Sequence, residues 1–380
     1  MYILSWRKHL LLPLIFSFSC ALYAQQPYRP VKLNVPLDVK LHRASLLNKP
    51  LPLHKPDTFT LVGVGDIMLG TNFPDESYLP PGDDASFMLE PVRPYLMDAD
   101  LTFGNLEGVF AGEKGRPKNC NDPKTCYVFR MPDHYVWDLI ESGFDVVSVA
   151  NNHVNDFGYE GRMHSTSVLD EAGIFYAGFP DSPYKIFRAS GRTIGFCAFS
   201  PNIGVMDLRD LTEAKRIVRL LADTCDIVIV SFHGGAEGSK HQHVTRQTEM
   251  FLGSNRGNVY LFAHMVIDAG ADVVLGHGPH VTRAMEVYKG RFIAYSLGNF
   301  STYARFNISG PNGIAPILHL KLSENGRFLG GKIIPIHQPG EGGARYDEAK
   351  RVIYKLQNLI QTDFPDNPLI LDDDGIILPQ

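Results

Sequence analysis

Residues 148–158 read SVANNHVNDFG and put several polar side chains directly behind an apolar run. The segment that leads into it, FDVVSV, is typical of a buried strand. Asn151, Asn152 and His153 come next, and Asp156 follows three residues after the histidine. Burying amide, imidazole and carboxylate groups costs free energy unless each of them is paired. The stretch therefore predicts a strand that ends at a charged partner.

The same alternation of apolar and polar segments continues along the chain from residue 59 onward. Predicted strands cover 59–65, 100–104, 144–150, 192–199, 226–232, 272–276 and 292–297. Predicted helices cover 133–142, 160–172, 207–223, 244–270 (interrupted near Gly253–Gly257) and 345–362. Adjacent strands within 284–336 should add antiparallel pairs. Strands that alternate with helices of this length predict an α/β domain with a sheet covered by helices.

Most of these predicted strands end at a side chain that could bind a ligand. These residues are Asp66 (GVGDIML), Glu107 (GNLEG), Asn152 and His153 (ANNH), His233 (SFHGG), His277 and His280 (GHGPHV) and Asn299 (SLGNF). Each of them alone has an ordinary explanation, such as a turn, a helix cap or a hydrogen-bonded histidine. In α/β sheets, ligands bind beyond the carboxyl ends of the strands. Recurrence at six strand ends favours one shared site.

The residue types in this set indicate a metal centre. Carboxylate, amide and imidazole groups suit one or two divalent ions (Mn, Zn, Fe or Mg), and no thiolate is present to force zinc. Two ions bridged by a carboxylate would activate water and hold a phosphoryl-like oxygen. Cations would also compensate the charges of Asp66, Glu107 and Asp156 if these residues are buried together.

Composition limits the class of protein. The chain has 380 residues, a net charge of −5 and 44% hydrophobic residues. These values suit one large or two modest globular domains with a substantial core. The charged residues are mixed in sign and form no basic stripe, so a nucleic acid is not the expected partner.

The N-terminus predicts export. A basic run at 7–9 precedes an apolar stretch that opens at 10–16 and is too short to span a membrane. We interpret residues 1–24 as a signal peptide, which predicts a secreted or periplasmic protein without a transmembrane helix after cleavage. Cys20 could be a lipoprotein cysteine, but the leucine that such signals prefer ahead of it is absent, and lipidation is disfavoured.

Signal removal leaves four cysteines in an oxidising compartment. Cys120 and Cys126 bracket the hydrophilic loop NDPKT, which could close as a local disulfide. Cys197 and Cys225 lie in or beside apolar runs, and a second disulfide and buried free thiols are both open for them.

Taken in order, the segments GDIMLG, GNLEG, ANNHVNDFG, SFHGGAEG, GHGPHV and YSLGNF resemble the CapA family of bacterial capsule and poly-γ-glutamate synthesis proteins. That family belongs to the calcineurin-like metallophosphatase superfamily. The resemblance implies a metallophosphatase-like four-layer α/β/β/α sandwich with mixed sheets. It divides the mature chain into a proline-rich linker or edge segment (25–57), a CapA-like domain (58–340), and a C-terminal helix and tail (341–380).

The resemblance also implies roles for the strand-end residues. The implied metal ligands are Asp66 and His280 for a first ion, Asn152, His233 and His277 for a second, and Glu107 as the bridging acid. His153 would protonate the leaving group or steady the transition state. Asp156 would hold His153 in one tautomer.

This chain departs from the family pattern at several positions. The Asp-x-His that opens the superfamily motif set reads Asp66-Ile67-Met68, which removes an imidazole from the first ion. Glu237 is either a substrate-facing acid or an ordinary exposed side chain, and Asn299 either binds substrate or serves structure alone. The histidines of KHQH, at 241 and 243, are expected to be solvated.

Two functions fit this sequence. One is a metal-dependent hydrolase of the cell envelope that cleaves a phosphoester or a γ-glutamyl amide with a metal-activated water. The other is a non-catalytic component of capsule or poly-γ-glutamate assembly or export that grips an anionic polymer through its metal site. Other capsule-assembly proteins are further possible partners. A secreted adhesion or structural domain with a vestigial ligand set is a weaker third option, because all the main ligand positions keep coordinating side chains.

Overall fold

The structure, a computed structural model, describes residues 57–120 and 126–380. The strands are β1 (Thr58–Met68), β2 (Leu101–Leu106), β3 (Val146–Ser148), β4 (Phe175–Ala177), β5 (Tyr184–Ala189), β6 (Arg192–Phe199), β7 (Ile227–His233), β8 (Met250–Phe251), β9 (Ser254–Asn255), β10 (Val273–His277), β11 (Met285–Tyr288), β12 (Arg291–Ala294), β13 (Asn299–Thr302), β14 (Ile314–Ser323), β15 (Phe328–His337), β16 (Arg345–Tyr346), β17 (Leu369–Leu371) and β18 (Ile376–Pro379). The α-helices are α1 (Arg93–Leu96), α2 (Val136–Glu141), α3 (Gly158–Ala172), α4 (Leu211–Ala222), α5 (Val259–Ala269) and α6 (Arg351–Asp363). The predicted signal peptide and all of the proline-rich segment except Asp57 lie outside the described residues.

The first sheet comprises ten strands within the described residues, in the order β17-β18-β15-β14-β1-β2-β3-β4, with β13 beside β1 and β16 beside β15. Strands β1 to β4 are parallel to one another, and β13 is parallel to β1. The pairs β1–β14 and β14–β15 are antiparallel. The sheet is therefore mixed, and the carboxyl ends of its parallel strands meet at one edge.

The second sheet comprises six described strands in the order β11-β12-β10-β7-β6-β5. Its four central strands are parallel, and both edge strands are antiparallel to their neighbours. Side chains of β7 alternate between two cores, as the pleat of a strand requires. Ile227 and Ile229 belong to the main core, whereas Val228 and Val230 belong to the core shared with α4 and α5.

The main core joins the two sheets. It contains apolar side chains from β1, β2 and β14 of the first sheet together with residues of β6, β7 and β10 of the second. Side chains of α2 and α3 pack into the same cluster, while α4 and α5 cover the other face of the second sheet. This is the four-layer α/β/β/α sandwich with mixed sheets that the sequence predicts.

Helix α4 illustrates how local sequence builds a covering layer. The Asp210 side chain accepts a hydrogen bond from the Glu213 N–H and caps the first turn. Ala214, Ile217 and Val218 follow at helical spacing and are fully buried. Burying an aliphatic side chain of this size contributes about 1.5–3 kcal/mol. Across residues 57–120 and 126–380, no helix is both long enough and apolar enough to cross a membrane.

The helix predicted over 244–270 is wrong in its first half. Residues 250–255 instead form the β8–β9 hairpin, with Gly253 at a φ of 78° between the two strands. Gly257 has a φ of 86°, which a helix does not tolerate. Helix α5 begins only at Val259, where the Asn258 side chain accepts the Leu261 N–H. The positive φ angles of these two glycines exclude a helix, although the apolar residues around them follow a helical pattern.

The C-terminal segment contributes more than the predicted helix. Helix α6 begins at Arg351. Strands β16, β17 and β18 extend the first sheet. Strands β17 and β18 pair with each other, and Gly375, with a φ of 80°, lies in the turn between them. The segment predicted as a tail is therefore part of the sheet.

Candidate metal centre

The centre lies where the carboxyl ends of β1, β2 and β3 meet those of β7 and β10. Two glycines allow the backbones to approach. A Cβ on Gly65 would collide with the Gly298 carbonyl, to which the Asp66 N–H donates a 2.8 Å hydrogen bond. Gly278 has a φ of 110°, and a Cβ there would lie 2.8 Å from the Gly234 nitrogen. Strand-end residues from both sheets can therefore share one pocket.

Two fully buried carboxylates, Asp66 and Glu107, stand at the middle of the centre. The Asn105 amide donates hydrogen bonds to both of them, at 2.8 Å and 2.7 Å. Burial disfavours the charge of Asp66, but the neighbouring imidazoles of His277 and His280 outweigh it and hold the pKa of Asp66 well below its usual range. Burial and the nearby charge of Asp66 raise the pKa of Glu107.

His233 and His277 are fully buried and lie opposite each other on β7 and β10. The His233 Nδ1 is 3.5 Å from Glu107 Oε2, and the His277 Nδ1 is 3.4 Å from Asp66 Oδ1. Within the described residues, no ring nitrogen of either histidine makes a hydrogen bond. Burial holds the pKa of His233 well below its ordinary value, so that ring is neutral. A neutral imidazole directed at a carboxylate is suited to bind a cation.

His280 is held from two sides. Its Nδ1 lies 2.9 Å from Asp66 Oδ2 and 3.1 Å from Asn299 Oδ1, and its Nε2 is 3.9 Å from Glu107 Oε1. The Asn312 amide donates to the His280 carbonyl at 3.0 Å. The Asn299 Nδ2 also binds backbone carbonyls. In this structure, both ends of the Asn299 side chain contact protein groups, and this residue orients His280.

The loop that follows β3 separates the two asparagines of the opening motif. The buried Asn151 Oδ1 accepts hydrogen bonds from the N–H groups of His153 (3.0 Å) and Val154 (3.1 Å) and so shapes the turn. Asn152 lines the cavity beside His153. Its Oδ1 makes no hydrogen bond with any described residue. Asn151 is therefore structural, and Asn152 is available to a ligand.

His153 is buried, and its two ring nitrogens have different surroundings. Nδ1 donates to Asp156 Oδ2 at 2.8 Å, whereas Nε2 lies 4.0 Å from Glu107 Oε1. Asp156 Oδ2 also accepts the Phe129 N–H at 2.7 Å, and Lys118 Nζ is 2.6 Å from Oδ1. Burial lowers the pKa of His153, and the negative charge of Asp156 opposes this shift. Asp156 fixes the ring with Nε2 on the side of the carboxylates.

The residues present fit a divalent cation. Asp66, Glu107 and His233 each offer a ligand atom, and these atoms lie within 4.8 Å of one another. The buried donor or acceptor atoms that lack a hydrogen bond in the described part of the chain include Glu107 Oε1, Asn152 Oδ1 and both ring nitrogens of His233 and His277. Buried polar atoms without a partner are costly. A cation would satisfy them together, and an oxygen and nitrogen donor set is typical of such ions.

The sequence profile described as "Bacterial capsule synthesis protein PGA_cap" matches residues 60–303. The chain belongs to this family. The chain is 28% identical to "Capsule biosynthesis protein CapA" of Bacillus anthracis, over 66% of this chain and 61% of that protein. It is 27% identical to "PGA biosynthesis protein CapA" of Bacillus subtilis (strain 168), over 78% of this chain and 76% of that protein. The chain thus spans less than two thirds of the Bacillus anthracis relative.

Two solved structures are similar to this chain at lower sequence identity. A hypothetical protein from Thermus thermophilus is 19% identical, with a TM-score of 0.43 over 74% of this chain and 100% of that chain. A putative 5'-nucleotidase from Staphylococcus aureus is 12% identical, with a TM-score of 0.42 over 79% of this chain and 58% of that chain.

The cavity in front of the metal centre has a volume of about 520 Å³. Asn152, His153 and His280 line it, and so does Glu237, whose Oε1 is 3.0 Å from Arg256 Nη2. Glu237 therefore faces the cavity as half of an ion pair. Met68, which stands where the resemblance implies a histidine, is fully buried in the main core.

Other histidines and cysteines lie outside the centre. His243 bonds Asp363 at 2.7 Å and is mostly exposed, as expected for a solvated side chain. Cys120 and Cys126 form the disulfide that their spacing allows. Cys197 and Cys225 are free thiols, which decides between the two alternatives that the sequence leaves open.

Sequence reasoning missed Asn105, Lys118 and Arg256. Asn105 was readable as a signal, because an amide inside the apolar run LTFGNL needs a partner. Lys118 and Arg256 stand in polar loops, where no local pattern distinguishes a cation that is paired with a carboxylate from a solvated one.

Proposed function

We propose that this protein is a metal-dependent hydrolase of the cell envelope, associated with capsule or poly-γ-glutamate synthesis, that cleaves a phosphoester or a γ-glutamyl amide. Family membership and the names of the Bacillus relatives support the process. The observation that carries the chemistry is the orientation of His153. Its Nδ1 is bound by Asp156, and its Nε2 points toward Glu107 without touching it. Non-catalytic binding of a polymer would not require a histidine that is held in this orientation.

The residues that would hold one or two divalent ions are Asp66, Glu107, Asn152, His233, His277 and His280. A bound ion would polarise a phosphoryl or carbonyl oxygen and promote deprotonation of water at neutral pH. His153 would carry a proton at Nε2 to or from the leaving group. Asp156 accepts the hydrogen bond from Nδ1–H and stabilises the charged ring when it forms. Phe129 packs against the His153 ring, with ring centroids 4.2 Å apart, and excludes water from that side.

The walls of the cavity favour an anionic substrate. Lys118, Arg256 and Arg305 line it together with the rings of Phe129 and Phe306. The Arg305 guanidinium lies 4.8 Å from the ring centroid of Tyr78 and 5.2 Å from that of Tyr127, and these rings hold it by cation–π contact. A phosphate or an α-carboxylate carries the charge that such a wall attracts.

The experiment is a combined metal analysis and hydrolysis screen. Purified protein is assayed for bound Mn, Zn, Fe and Mg, then for cleavage of bis-p-nitrophenyl phosphate and of γ-linked glutamate oligomers. His153→Ala should abolish turnover but keep the metal, and His243→Ala serves as the matched control because its ring lies outside the cavity. Wild-type protein that binds no metal and cleaves neither substrate class would contradict the proposal.

Met68 favours a second candidate function, non-catalytic binding of an anionic polymer in capsule or poly-γ-glutamate assembly or export. An apolar core residue stands where the superfamily supplies an imidazole, which weakens the first ion. This function predicts polymer binding that chelator abolishes and that His153→Ala leaves unchanged. Polymer binding that is unchanged by chelator would exclude this second function.

A secreted or periplasmic location belongs to the same proposal. It is supported by the predicted signal peptide at 1–24 and by the oxidised Cys120–Cys126 pair, which suits an oxidising compartment. Cleavage after Ala24, read by N-terminal sequencing of the exported protein, would test it.

A further inference from the structure

We infer that Lys118 is a positioning residue for His153, acting through Asp156, and that the Cys120–Cys126 disulfide keeps Lys118 in place. The inference rests on the proposed role of His153 in proton transfer. According to this inference, the orientation of His153 depends on the Lys118 ammonium and on the disulfide as well as on Asp156.

Asp156 is fully buried and is bound on every side. Its Oδ2 accepts from His153 Nδ1 and from the Phe129 N–H. Its Oδ1 faces Lys118 Nζ at 2.6 Å and makes no hydrogen bond to another described residue. Without the ammonium, Oδ1 would be a buried charge with no partner in the described residues. The Lys118 side chain is itself 33% exposed, but its removal would leave the carboxylate buried and uncompensated, and an unpaired buried charge is costly.

Lys118 is held to the same loop at two points. Besides the ion pair, its backbone N–H donates to the Asp156 carbonyl at 2.7 Å. The Lys289–Asp268 pair shows the contrast, because its Nζ–Oδ1 distance is also 2.6 Å but both of its side chains are exposed. An exposed pair of that kind contributes little. The two lysines therefore form a matched comparison.

The disulfide connects the two segments that bind Asp156. Cys120 lies two residues after Lys118, and Cys126 lies three residues before Phe129. Both cysteines pack against a small apolar cluster that includes Phe157, the residue next to Asp156. The bond therefore fixes the ammonium and the Phe129 N–H relative to one carboxylate. Its loss should let Lys118 move away, and His153 should then lose a fixed orientation.

The first test reads His153 without any turnover, so its outcome is independent of whether the protein is a hydrolase. Ring ¹H–¹⁵N spectra are recorded on metal-free wild type, Lys118→Met, Lys118→Arg and Lys289→Met, with His153→Gln used to assign the signals. We expect Lys118→Met to shift or broaden the Nδ1–H signal of His153. Lys118→Arg should restore it, and Lys289→Met should leave it unchanged. A His153 signal identical in wild type and Lys118→Met would overturn the inference.

Circular dichroism and thermal unfolding accompany each variant, and the Lys118→Arg rescue separates a lost ion pair from misfolding. A Cys120→Ser/Cys126→Ser double variant tests the disulfide. It should change the His153 signal in the same direction as Lys118→Met, and combining the two changes should add nothing further. An unchanged signal in the double variant would overturn the part assigned to the disulfide.

Kinetics provide the second readout once a substrate is found. Lys118→Met should lower kcat by about tenfold to a hundredfold and change KM little, as expected for a residue that orients a catalytic group. Because Lys118 also lines the cavity, a substrate-binding role is the competing explanation. A raised KM with an unchanged kcat would establish that role and overturn the inference.

Discussion

Four imidazoles surround the same two carboxylates, but they are held in two different ways. Within the described residues, the ring nitrogens of His233 and His277 make no hydrogen bonds, whereas His153 and His280 each bond a carboxylate through Nδ1. A ring that is bonded to protein already has its orientation. A buried ring without a hydrogen bond is costly unless something else binds it. The comparison supports the proposal that the first two histidines bind a cation and that His153 acts on a substrate.

The largest expected effect is on metal binding by His277→Ala. Removing an imidazole ligand from a buried site should lower the affinity for Mn²⁺ or Zn²⁺ by at least about a hundredfold, beyond the range known for residues that only orient ligands. Isothermal titration of metal-free protein measures it, with His243→Ala as the control. Equal affinities in His277→Ala and wild type would contradict this interpretation, because the ring nitrogens of His277 would then bind no metal.

The next effect separates the two kinds of histidine. His153→Ala should reduce the hydrolysis rate by about 10²–10⁴-fold, the usual contribution of a general acid or base, and should leave metal affinity close to wild type. The two values come from kcat and from the same titration. If His153→Ala also lowered the metal affinity, His153 would be a metal ligand as well.

The smallest expected effect is on stability, and it concerns the side-chain nitrogen of Lys355, which lacks a hydrogen bond and is remote from the candidate metal ligands. Lys355 Nζ on α6 makes no hydrogen bond to a described residue, and burial lowers the pKa of Lys355 to about 8. Lys355→Met should raise the free energy of unfolding at pH 7 by about 1 kcal/mol. Urea unfolding measures it, with Lys289→Met as a control that should stay within about 0.5 kcal/mol of wild type.

The pH dependence of this variant follows from the sign of the shift. The pKa of Lys355 is lower in the folded protein than its ordinary value of 10.5. The charged ammonium therefore destabilises the fold fully below about pH 8, and the penalty disappears as the pH rises to about 10.5. The advantage of Lys355→Met should shrink over that interval. An advantage that persists at pH 10.5 would mean that packing, not charge, explains it.

The strand ends were readable from the sequence because two local rules coincide there. Apolar runs of strand length identified β1, β2, β7 and β10, and the polar residue behind each run marked the edge where ligands gather. Which of two adjacent asparagines faces the cavity came from the family resemblance, because no local rule of the sequence distinguishes them. Asn151 and Asn152 have the same chemistry, and only the backbone of the loop decides that the first caps the turn and the second faces the cavity.

Features that arise from pairing distant segments were also beyond the sequence. The sequence indicates that Asn105 needs a partner but does not say which one. It binds both carboxylates because β1 and β2 pair in a register that puts it opposite Asp66, 39 residues away. The β8–β9 hairpin has strands of two residues each, too short for any periodic pattern. Lys118 Nζ lies 2.6 Å from Asp156 Oδ1 although the two residues stand in different segments of the chain. Each feature needs three-dimensional neighbours that spacing alone does not specify.

Asp66 and His280 are hydrogen-bonded to each other although 214 residues separate them in the chain. The centre therefore cannot assemble on a growing or partly unfolded chain until both sheets have come together. A cation that binds there will bind the finished fold and not the unfolded chain, so its binding energy adds to the cooperativity of folding. Metal occupancy would then report, in a single measurement, how much of a preparation has completed its tertiary structure.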